Sequence, residues 1–81
     1  MNDTSKLDQI IAESLAVPAT EVRTAAYGET ATWDSVAHLI LMNTIEERLG
    51  IKLEGEDVSR MTDYDAIKRT LTERYDVDID G

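Results

Sequence analysis

A small all-α bundle, with three main helices plus one short helix and a long loop between helices one and two, is the fold class that the sequence predicts. Three observations lead there. Apolar residues recur three and four apart over three stretches, which is the period of a helix face. Residues that start and stop helices bracket those stretches. Ile51-Lys52-Leu53 alternates with the period of a strand, but with no partner strand elsewhere it reads as a core-plugging loop rather than part of a sheet. At 81 residues, a single domain over 1–81 is expected, near the lower limit for a chain folding on one core without disulfide or metal staples.

Leu7, Ile10, Ile11 and Leu15 repeat at helical spacing with Asp8, Gln9 and Glu13 between them, predicting a first helix over about 4–16. Asp3 or Thr4 can cap it, and Pro18 stops it by biasing Val17 toward extended backbone. The following stretch through Trp33 has no sustained period and reads as a long loop, with Ala19-Thr20-Glu21-Val22 suited to a single helical turn and Val22, Tyr27 and Trp33 as candidate pins. A second helix is expected over about 35–49, closed by Gly50. At 100° per residue its Leu41, Met42, Ile45 and Leu49 share one sector, whereas Val36 and Ile40 project on nearly the opposite side. Either another element covers those two, or they form an exposed apolar strip near Ser35. Val58 and Met61 suit a short helix over about 56–61. Thr62-Asp63-Tyr64-Asp65 resembles a capping box, and Tyr64, Ile67, Leu71 and Tyr75 predict a last helix over about 63–75, followed by an acidic tail over 76–81.

Composition narrows function. Eight basic against seventeen acidic side chains leave a net charge of −9, which disfavours nucleic acid and anionic membrane and favours partners with basic patches. Without cysteine there is no disulfide, thiolate nucleophile or thiolate metal site, and one histidine cannot build a zinc site, so no metal site is expected. The tail Asp76-Val77-Asp78-Ile79-Asp80-Gly81 matches only the opening of a calcium loop and lacks its closing glutamate. No run approaches the roughly 20 apolar residues that span a bilayer, and the opening residues hold no hydrophobic signal, so a cytoplasmic protein without stable membrane insertion, and a monomer, is expected.

Candidate chemistry concentrates in Thr32-Trp33-Asp34-Ser35-Val36-Ala37-His38-Leu39. Asp34 is a strong N-cap, because its carboxylate can accept from a free amide of the first turn. That puts the Ser35 hydroxyl at the positive end of the helix dipole, where an attached phosphate is favoured. The plain alternative is that Asp34-Ser35 is no more than a cap. His38, one turn on, could be imagined as a base for Ser35, but it projects into the core stripe and no third group is evident to orient it, so a structural histidine is expected and no catalytic residue is assigned. Glu46-Glu47-Arg48 has the look of a solvated face.

Taken together, these features resemble the acyl carrier protein family, whose members carry a phosphopantetheine arm on the serine of an Asp-Ser-Leu motif; here the motif reads Asp34-Ser35-Val36. The resemblance covers nearly the whole chain: a first helix, a long loop, a serine at the head of helix two, a short third helix and a final helix. The Glu21-Val22 turn, Glu46-Glu47 late in helix two and Ile51-Lys52-Leu53 also sit where family members have similar residues. The resemblance implies a carrier acted on by enzymes, not an enzyme. A phosphopantetheinyl transferase would use coenzyme A and magnesium to place 4′-phosphopantetheine on Ser35. The arm's thiol would then carry acyl groups as thioesters between acyl-loading and acyl-processing enzymes, in fatty-acid, polyketide or related biosynthesis.

Three departures from the family pattern bear on partners. Trp33 stands directly before Asp34, Val36 replaces the usual leucine, and Ala37 and Ile40 occupy positions that are often acidic. They point away from primary fatty-acid synthesis and toward a specialised pathway whose enzymes dock through apolar surface on Val36 and Ile40. Glu46 and Glu47, with Glu54, Glu56 and Asp57, keep acid nearby for basic patches. A second hypothesis keeps the fold but not the arm, making the chain a protein-interaction module that docks through Val36, Ile40 and the acidic residues of helix two.

Overall fold

The computed structural model describes residues 6–77. Its elements follow the order α1 (Lys6–Leu15), a 3₁₀ segment (Ala19–Thr24), α2 (Ser35–Leu49), α3 (Gly55–Val58) and α4 (Tyr64–Arg74). No strand forms among the described residues; one isolated antiparallel bridge joins Ala26 to Asp63. The all-α class and the order of the helices agree with the sequence reading. The proposed caps Asp3 and Thr4, and the calcium-like tail beyond Val77, lie outside the described residues.

α1 buries Leu7, Ile10, Ile11 and Leu15, and packs against α2 and the 3₁₀ segment. It ends at Ala16, which takes φ 56, and the amide of Val17 bonds back to Ala12 O at 3.1 Å, satisfying an orphan carbonyl in a Schellman closure. α2 ends by the same device at Gly50, φ 66, with Ile51 N bonded to Glu46 O at 3.2 Å. The helical turn foreseen at Ala19-Thr20-Glu21-Val22 extends to six residues, and Arg23 within it makes contacts to both α1 and α4. Its Nη2 lies 3.3 Å from Oδ2 of buried Asp8 on α1, and its guanidinium stands 5.3 Å from the Tyr64 ring centroid on α4.

The core joins the α1 residues to Val22, Trp33, Leu41, Met42, Ile45, Leu53, Met61, Tyr64, Ile67 and Leu71. Four details differ from the sequence reading. α3 runs over Gly55–Val58, starting one residue earlier and ending three earlier than expected, and Met61 enters the core from the connection after it. The cap of α4 is Asp63, which accepts from Ala66 N at 2.8 Å, rather than Thr62, whose carbonyl instead accepts from Tyr27 N. Tyr27 is no core pin, since 41% of it is exposed. Leu49, at the edge of its stripe, is only partly buried.

Asp57 is the least expected core member. It is fully buried on α3, with its Oδ2 accepting from the Tyr75 hydroxyl at 2.5 Å and its carboxylate within 2.9 Å of Arg74 Nε. The same hydroxyl accepts from Glu54 N at 2.9 Å, so α3 is tied to the end of α4 by a continuous polar chain. The Tyr75 hydrogen bond, aided by Arg74 and Arg60, holds the Asp57 carboxyl below its ordinary value against the opposing effect of burial. Burial and the same bond push the Tyr75 phenol up.

Candidate functional site

The head of α2 is built by three consecutive residues with different tasks. Trp33 is 1% exposed, and its Nε1–H donates to Nδ1 of His38 at 3.0 Å. Its backbone is fixed as well: Trp33 N donates to Thr30 O, and Gly28 N, at φ 84, donates to Trp33 O. Asp34 follows in extended geometry and caps the helix through Oδ1, which accepts from Ala37 N at 2.9 Å. Ser35 then stands exposed at the first helical position. The amides of Ser35 and Val36, ahead of the capped one, have no acceptor one turn back within the helix and leave that end positively polarised.

His38 is buried and committed on both ring nitrogens. Nδ1 accepts from Trp33, which makes Nε2 the protonated nitrogen, and Nε2–H donates to Val58 O on α3 at 2.8 Å. The Trp33 and His38 rings lie side by side, 26° from coplanar with centroids 6.0 Å apart, as that hydrogen bond requires, and Tyr27 meets the imidazole edge-on at 5.4 Å. The expected structural histidine is found, and its two hydrogen bonds leave neither nitrogen for Ser35.

A cavity of ≈ 420 Å³ opens beside the serine, lined by Tyr27, Ser35, His38, Leu39, Val58, Ser59 and Thr62, and its walls are mainly apolar. Comparison with protein-family models, curated proteins and solved structures gave no significant match. The site therefore rests on its own geometry.

Along α2 the apolar strip is exposed rather than covered: Val36 is 65%, Ile40 50% and Leu39 61% accessible. Leu39 was missed from the sequence, although as an apolar residue outside the core sector it carried the same signal as its neighbours. Ser35, Val36, Leu39 and Ile40 thus share one end of α2. Glu46 and Glu47 do not join them. At 1.5 Å of rise per residue they stand about 17 Å along the axis from Ser35 and about 9 Å from Ile40. Glu47 is exposed, but Glu46 is half-buried and its Oε2 accepts from Leu53 N at 2.8 Å, fixing the loop before α3. With Asp57 buried too, two of the five acids expected near the serine's face serve the interior instead. Leu41, Met42, Ile45, Met61 and Ile67 are at most 4% exposed and belong to the core; none of them lines the cavity. No group of three metal-ligating side chains occurs among the described residues, and no described helix is long and apolar enough to cross a membrane.

Proposed function

We propose that the chain is a carrier protein, modified on Ser35 by 4′-phosphopantetheine and acted on by other enzymes. The observation that carries this reading is one exposed hydroxyl at the polarised tip of a capped 15-residue helix, on the rim of an apolar cavity. The residues present fit such an arm. The Ser35 and Val36 amides suit the charge of a phosphodiester, Asp34 keeps the helix end in register, and Tyr27, Leu39 and Val58 offer apolar surface within the cavity. In the attachment step the Ser35 oxygen forms a bond to the phosphorus of coenzyme A that bears pantetheine. The bond from that phosphorus to the bridging oxygen breaks, 3′,5′-adenosine diphosphate leaves, and the serine proton passes to a base of the transferase. Once attached, the group supplies a thiol for thioester chemistry that this cysteine-free chain lacks. Partner enzymes would meet Val36, Leu39 and Ile40 with apolar surface, and Glu47 with a basic residue.

Incubation with coenzyme A, magnesium and a broad-specificity phosphopantetheinyl transferase tests the reading by intact mass. One arm is expected on the parent chain and none on Ser35→Ala; an unmodified parent, or equal modification of both, refutes it.

The exposed strip by itself favours a second reading, an unmodified interaction module. In that case Ser35→Ala leaves partner binding and cellular function intact, whereas Ile40→Asp abolishes both.

A further inference from the structure

A second cavity, of ≈ 300 Å³, lies between α3 and α4 and shares no lining residue with the one beside Ser35. It is lined by Asp57, Arg60, Ala66, Arg69, Thr70, Glu73 and Arg74. Three of the chain's five arginines meet there, in a protein of net charge −9. We propose that this cavity is an anion site for a phosphate dianion, either free or as the terminal group of a small phosphomonoester.

Among the described residues, only one of these three arginines, Arg74, is held in a salt bridge. In a chain with twice as many acids as bases, the other two arginines, Arg23 and Arg48, find carboxylates at 3.3 and 2.6 Å. No salt bridge or side-chain hydrogen bond engages the guanidiniums of Arg60 and Arg69 among the described residues, although the Arg60 charge acts on Asp57 at longer range. Arg74 is oriented by fully buried Asp57, but only through Nε, at 2.8 and 2.9 Å, so its two Nη groups remain available as donors. One guanidinium is therefore held rigidly by a buried anchor, and two more lie on the same cavity. Asp57 does not repel an incoming anion as a bare charge would, because Arg74 and the Tyr75 hydroxyl already compensate it. With Arg74 offsetting Asp57, Glu73 is the one lining carboxylate left against Arg60 and Arg69, so three arginines and two carboxylates leave the lining a net charge of +1. A lone carboxylate ligand would be satisfied by a single guanidinium fork, whereas three guanidiniums suit a multiply charged tetrahedral oxyanion, which accepts charge-assisted hydrogen bonds from several directions. The Thr70 hydroxyl adds a neutral donor within the same wall. The site is independent of any modification of Ser35.

Titration of the ¹⁵N-labelled full chain at constant ionic strength, with inorganic phosphate, with adenosine 5′-monophosphate and with sodium chloride as separate arms, tests the proposal. Saturating shifts confined to the amides of residues 57–60 and 66–74 are expected in one or both phosphate arms. Tighter saturation by the monoester identifies an ester as the ligand, and equal saturation identifies free phosphate. Arg60→Ala and Arg69→Ala, both at exposed positions that leave the Asp57 anchor intact, should each raise Kd at least about tenfold. Linear shifts reproduced by chloride, or variants that bind as tightly as the parent, overturn it.

Discussion

The indole of Trp33 and the imidazole of His38 are joined by a buried 3.0 Å hydrogen bond spanning the first turn of α2. Replacing Trp33 by Phe keeps much of the ring burial but strands the His38 Nδ1 acceptor. A loss of about 1–3 kcal/mol is expected, the usual cost of an unsatisfied buried polar atom. Urea denaturation followed by circular dichroism measures it, and a variant within about 0.5 kcal/mol of the parent would show the bond to be dispensable.

Caps at Asp34 and Asp63 each hold one first-turn amide, at 2.9 and 2.8 Å. Asp34→Ala and Asp63→Ala should each cost about 1 kcal/mol. Of the two, only Asp34→Ala should also slow modification of Ser35 by the transferase, which a time course of intact mass would reveal.

Two helix ends with the same backbone geometry carry different residues, Ala16 at φ 56 and Gly50 at φ 66. Ala16→Gly relieves a left-handed alanine and should stabilise by about 1 kcal/mol, whereas Gly50→Ala should destabilise by a similar amount. A Cβ at Gly50 meets nothing within 4 Å, so the penalty would be backbone strain alone. Thermal melts of the two variants should move in opposite directions.

Asp57 sets an acid limit. Its carboxyl is held below the ordinary value near about 3.9, so between the two values the unfolded chain binds more protons and stability rises with pH. Its contribution is therefore complete above about pH 4 and is lost as pH falls through the lowered pKa. Tyr75 acts at the other end: its raised phenol contributes below about pH 10 and fails as pH climbs through the folded value. Urea midpoints measured across pH should fall on both limbs, and Asp57→Asn should flatten the acid one while lowering stability at neutral pH.

What could be read from the sequence was local. Asp34 and Gly50 bracket α2, and Leu41, Met42 and Ile45 mark its buried face, because caps and helical period act within a few residues. The exposure of Val36 and Ile40 could be posed as one of two alternatives but not decided, since it depends on what the rest of the chain covers. The long-range partnerships were invisible. Asp57 meets Arg74 and Tyr75 from 17 and 18 residues away, and in sequence it looks like one more acid in a solvated run. Glu46 reads as surface until the loop at Leu53 turns its amide onto it. Trp33 and His38 are only five residues apart, yet their pairing needs a loop-to-helix corner that no periodicity describes.

Trp33 is the sole tryptophan of the chain, and its partner His38 also holds the Val58 carbonyl on α3, a wall of the cavity beside Ser35. A displacement of that wall strains or breaks the imidazole's grip and alters the polarity around the indole. The protein thus places its intrinsic fluorophore two hydrogen bonds from a wall of that cavity, and a change in emission wavelength is the expected signature of a ligand that moves the wall.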